Sequence, residues 1–199
     1  MSKLPLYITS FFSLDSVPEL PTKQANELTI FKKFLNHEIV KPELVRFGDD
    51  GASEPDLVVK QGEQIIGVEI TAIYGSEEIA KAYFKNSSPI IATEEQWLKA
   101  IADRYKDKLS DRKDGKKRYD RSKFDIIILL MDDRSGRDSS PKLPNPLRLL
   151  PNGTPVTNVT LFQQLFQPWS SVLDESYLLG RSSTNQLGTI LVKGHLNID

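Results

Sequence analysis

The stretch from Glu54 to Thr71 constrains this chain more than any other. Two apolar runs flank a turn-like Lys60-Gln61-Gly62-Glu63, the pattern of a β-hairpin. In an antiparallel pair the residue that starts one strand lies beside the end of the other. Asp56 heads the first run and Glu69 lies near the end of the second, so the hairpin is expected to bring both carboxylates to one end of a sheet. The second run carries Ile65, Ile66, Val68, Ile70 and Thr71 and is apolar on both faces, which predicts an inner strand covered on both sides.

The flanking patterns say what would cover it. Leu28, Phe31, Phe34, Leu35 and Ile39 recur at helical spacing between Thr22 and Val40, and Pro42 stops that helix. Leu44 to Phe47 reads as a strand, followed by the hairpin strands 57–60 and 64–71. Ser76 is placed to cap a helix over 77–84. Thr93 with Gln96 makes a capping box for a helix running to Leu109, with Trp97, Ile101, Tyr105 and Leu109 on one stripe. Asp111 to Ser122 is either a loop or a continuation of that helix. Phe124 to Met131 reads as a second buried strand. Residues 132–156, rich in proline, read as a long irregular loop. A short helix over 159–166 and a terminal hairpin from strands at 176–179 and 188–193 complete the chain. This order predicts an α/β fold with a mixed sheet between helices. At 199 residues a single domain is favoured, spanning 22–199 with residues 1–21 as an extension packed on it.

Composition removes several chemistries. Without cysteine there are no disulfides, thiolate nucleophiles or Cys-type zinc sites, and His37 and His195 are the only imidazoles. No Gly-rich phosphate loop of the Walker or dinucleotide type is present. The longest apolar run, Ile126 to Met131, is far short of the roughly 20 residues of a spanning helix. The N-terminus does not read as a secretory signal, so cytoplasmic residence is the expectation. The Asn-x-Ser/Thr matches at Asn86, Asn152 and Asn158 are then coincidental. A net charge of −1 offers no global attraction to a polyanion. Any such binding must be local, and from Asp103 to Lys123 ten Lys or Arg stand against five Asp. Lys113, Lys116, Lys117 and Arg118 are the candidate nucleic-acid contacts; a solvated helix end and loop is the plain alternative.

Pro55-Asp56, the following Glu69-Ile70-Thr71, an acidic Glu27 on the preceding helix, and a Lys-bearing helix leading into an apolar strand together resemble the PD-(D/E)XK nuclease superfamily. In particular, the stretch looks like branches with Glu-x-Thr in place of Glu-x-Lys. The resemblance spans roughly Glu27 to Met131 and, more loosely, the closing strand near Tyr177. It implies a restriction-endonuclease-like fold and metal-dependent hydrolysis of DNA, with Asp56, Glu69 and the Ile70 carbonyl holding Mg²⁺ or Mn²⁺ and Glu27 as a further acid. Such a cation prefers hard oxygen donors and needs only one or two protein carboxylates besides waters and substrate phosphate. Metal-activated water would be the nucleophile. The resemblance further suggests a homodimer, which would suit cleavage of both strands, and a partner protein in a system of defence against foreign DNA.

The departure from the family pattern is Thr71, whose hydroxyl cannot supply the motif lysine's positive charge. Lys108 is the first candidate for a relocated cation, Lys106 the second and Lys99 the third. If none reaches the carboxylates, a nucleic-acid-binding or protein-interaction module on the same fold is the alternative. Plainer readings stand beside these: Glu27 as a favourable charge near a helix N-terminus, Glu54 as a turn residue, Asp132-Asp133 as a strand-end charge pair, and Trp97 as core.

Overall fold

The longest apolar runs form the middle of a six-stranded sheet, where both faces of a strand are covered. The computed structural model describes residues 22–36, 42–85, 90–112, 114–135, 172–181 and 189–193. In chain order these form α1 (Thr22–Leu35), β1 (Glu43–Phe47), β2 (Leu57–Gln61), β3 (Gln64–Ile73), α2 (Glu77–Phe84), α3 (Glu94–Leu109), β4 (Ile126–Asp133), β5 (Glu175–Arg181) and β6 (Thr189–Lys193). The strands lie in sequence order. β1, β2 and β3 are antiparallel, β3–β4 and β4–β5 are parallel, and β5–β6 closes as an antiparallel hairpin.

Strand alternation divides the core in two. Ile66, Val68 and Ile70 of β3, with Ile128 and Leu130 of β4, face Leu28, Phe31, Phe34 and Leu35 of α1. Ile73, Ile127, Leu129 and Met131 face Trp97, Ile101 and Tyr105 of α3. Leu129, Leu130 and Met131 are wholly buried, and each such side chain contributes about 1.5–3 kcal/mol from removal of apolar surface from water. The expected α/β arrangement, a mixed sheet between helices, is what forms.

Several boundaries move. β3 and β4 each run to the position where their parallel pairing ends, Ile73 beside Asp133, so Asp132 and Asp133 belong to the strand and not to the loop expected from residue 132. β4 begins at Ile126 because the backbone N–H of Asp125 donates to the Ile65 carbonyl and its carboxylate accepts the Ile65 N–H at 2.7 Å, closing the entry to the strand. Helix α3 ends at a Ser110 cap, which makes the segment after it a loop with a single 3₁₀ turn at Arg121–Lys123. The expected extension 1–21, the helix tail to Val40, most of the proline-rich loop, the helix over 159–166, His37, His195 and Lys113 lie outside the described residues.

Candidate active site

Asp56 is fixed by the residue before it. A Cβ on Gly48 would stand 1.7 Å from the Pro55 carbonyl oxygen, and one on Gly67 would stand 2.6 Å from Pro55 Cγ. Only glycine therefore lets β1 and β3 close around Pro55. The Gly48 N–H donates to the Asp56 carbonyl and the Ile70 N–H to Asp56 Oδ2, both at 2.8 Å. Leu57 pairs with Val68, so one step further the register puts Asp56 beside Glu69. By alternation both carboxylates lie on the side of the sheet that carries α3.

From that side comes a cation. Lys108, seven residues after the buried Ile101 and so close to the same stripe, donates from Nζ to Glu69 Oε1. From the opposite layer, Lys23 in the first turn of α1 stands 3.5 Å from Glu27 and 3.3 Å from Asp56. These groups line a cavity of about 370 Å³, together with Ile70, Glu54, Arg112, Arg118 and Tyr119.

Burial pushes the Glu27 carboxyl up to about 8, and the adjacent Asp56 adds to the rise. Lys23 opposes it, but its own side chain is 61% exposed and its charge is screened. Burial also raises Glu69, with Asp56 adding and Lys108 opposing. Glu54 goes the other way. Two hydrogen bonds from the Arg46 guanidinium, at 2.5 and 3.0 Å, hold its acid down at about 2, with Lys123 at 3.2 Å and the Asp49 N–H assisting. Glu54 is thus an anchor for the turn before Pro55.

The remaining candidates separate by location. Thr71 is half-buried on β3 and does not line the cavity. Lys106 is exposed, and Lys99 pairs with Asp103 at 2.7 Å on α3, away from the carboxylates. Lys116 and Lys117 are exposed on the loop, whereas Arg118 turns inward and donates to the Ser110 carbonyl at 3.0 Å. Asp133 accepts the Trp97 indole N–H at 2.8 Å, and Asp132 accepts from Arg134 at 2.6 Å, so this acidic pair is held as a strand-end structure. Sequence reasoning missed Lys23, Arg112 and Tyr119. The spacing of Lys23 four residues before Glu27 was a readable signal; nothing local marks Tyr119.

Glu27, Asp56, Glu69 and the Ile70 carbonyl present only oxygen donors, the chemistry a hard divalent cation requires. Among the described residues no group of three or more His, Cys, Asp or Glu side chains is arranged to hold a metal ion. The arrangement is that of acids paired with ammonium groups, which a cation would have to replace. No helix among the described residues is long and apolar enough to cross a membrane. No protein-family model, curated protein or solved structure matches the chain.

Proposed function

We propose that this protein is a metal-dependent nuclease of the PD-(D/E)XK type, hydrolysing phosphodiester bonds in DNA on a restriction-endonuclease-like sheet. The observation that supports this most is the approach of Lys108 to Glu69, with Asp56 beside it on the hairpin. It offers the charge that Thr71 cannot. Asp56, Glu69 and the Ile70 carbonyl would hold Mg²⁺ or Mn²⁺, with Glu27 as an additional acid. Once bound, the cation would offset phosphoryl charge and acidify water. Lys108, only 16% exposed, would orient the attacking water and stabilise negative charge developing on the phosphate. Thr71 would serve as a strand residue. Lys116 and Lys117 on the adjoining loop would track the DNA backbone, with Lys113 and Arg118 as further contacts. Cytoplasmic residence, dimerisation and a partner in defence against foreign DNA belong to the same proposal.

The test is incubation with duplex and single-stranded DNA in Mg²⁺ or Mn²⁺, comparing the protein with Asp56→Ala and Glu69→Ala. Cleavage is expected to disappear in both variants; cleavage that persists in both overturns the assignment. A second reading, a non-catalytic nucleic-acid-binding module, is favoured by Thr71 at the motif position. It expects no cleavage, and binding to duplex DNA whose log affinity falls with log salt at a slope of about 0.9 per phosphate neutralised.

A further inference from the structure

The Tyr119 hydroxyl is buried without a hydrogen-bond partner, the only side-chain polar atom among the described residues in that position. The residue is 4% exposed and its ring is packed into the core with Trp97, Ile101 and Tyr105. It also lines the cavity that holds Asp56 and Glu69. A phenol hydroxyl is costly to bury unbonded, and phenylalanine would fill the same place without that cost. Arg118 lines the same cavity, with Nε on the Ser110 carbonyl at 3.0 Å and its terminal nitrogen 3.5 Å from Asp107. Arg112 lines it as well. The lining of the cavity therefore brings together carboxylates, a phenol and guanidinium groups.

We infer that Tyr119, Arg118 and Arg112 form a seat for phosphoryl oxygens, in which the Tyr119 hydroxyl donates a hydrogen bond to the bound phosphate. The inference rests on the nuclease reading and deepens it by saying which residues hold the phosphate that Asp56 and Glu69 would act upon. A guanidinium presents paired N–H donors suited to phosphate oxygens. A neutral hydroxyl adds a donor without forming an ion pair with Glu69, so it remains available when an oxyanion arrives. Tyr119 also approaches from the core, where its position is set by packing and not by solvent.

Binding of inorganic phosphate in the presence of Mg²⁺ should be measured by calorimetry for the protein, Tyr119→Phe and Arg118→Gln, alongside thermal unfolding, Mn²⁺ binding and DNA cleavage. Tyr119→Phe is expected to unfold at the same temperature or higher, because it breaks no bond within the described structure. It should bind Mn²⁺ as before and weaken phosphate binding about tenfold, the loss of one hydrogen bond. Its kcat for cleavage should fall at least as much. Arg118→Gln should weaken phosphate binding as well. Unchanged phosphate affinity in Tyr119→Phe overturns the seat, as does a lowered unfolding temperature with parallel loss of Mn²⁺ binding, which would make the hydroxyl structural. If phosphate binding depends on Tyr119 but the unmodified protein cleaves no DNA, the seat stands and the nuclease reading falls. If DNA is cleaved equally well by Tyr119→Phe, the nuclease reading stands and the seat falls.

Discussion

Glu54 and Glu27 line one cavity and are driven in opposite directions. Glu54 meets a guanidinium, an ammonium and a backbone N–H, and its acid lies at about 2. Glu27 meets a largely exposed lysine and another carboxylate, and lies at about 8. The first corner is complete within the protein and ties β1 to the loop that follows it and to the 3₁₀ turn before β4. The second concentrates buried acid against incomplete compensation, a cost to stability that a bound cation would relieve. Burial of carboxylates is common to both; the supply of fixed donors separates the anchor from the candidate site.

The largest effect is expected at Glu69. Replacing it with Gln keeps its size and removes its charge, and should lower metal-dependent cleavage by about a thousandfold, at the upper end of what loss of one transition-state-stabilising group costs. Retention of full rates would place metal binding elsewhere. Lys108→Met should reduce the rate by about a hundredfold, with Mn²⁺ binding retained, because it removes charge stabilisation and leaves the oxygen donors in place. An equal loss of Mn²⁺ binding would show instead that Lys108 acts by holding Glu69 in position.

The two corners should then diverge in stability. Glu54→Gln is expected to destabilise the fold by about 2 kcal/mol in urea unfolding, since hydrogen bonds to charged groups contribute on that scale. Glu27→Gln, measured without metal, should change stability by less than about 1 kcal/mol, because at neutral pH it exchanges one uncharged group for another. Comparable losses would erase the distinction between the two corners. The same contrast extends to pH. Glu54 is depressed from an ordinary value of 4.5 to about 2, so its contribution is fully present above 4.5 and is lost as pH falls towards 2. The Glu54→Gln variant should therefore show a shallower decline in stability across that interval, read from urea midpoints.

Much of the frame was legible in particular residues. The two apolar runs around Lys60-Gln61-Gly62-Glu63 announced the hairpin, Thr93 and Gln96 the start of α3, and the stripe from Trp97 to Leu109 the face it buries. Each signal is local, carried by dihedral preference, capping or periodicity. The strand ends were less legible, because Asp132 and Asp133 look like loop residues until Arg134 and the Trp97 indole are there to bond them. The same holds for Tyr119, whose neighbours in the chain are polar and basic while its ring is packed in the core.

For the acid pair, sequence alone determined that Asp56 and Glu69 would share an end of the sheet, because a hairpin leaves antiparallel strands no other arrangement. It also determined that Thr71 could not act as a cation. Which lysine approaches the carboxylates was decided only by tertiary structure. Lys99, Lys106 and Lys108 share one helix, and their access to Glu69 depends on how α3 is rotated and seated on β3 and β4. Packing of Trp97, Ile101 and Tyr105 against the sheet sets that rotation. It turns Lys108 towards Glu69 and leaves Lys106 in solvent. Lys23 and Tyr119 reach the cavity for the same reason: they come from separate layers of the molecule, brought together by burial of apolar surface that no short stretch of sequence contains.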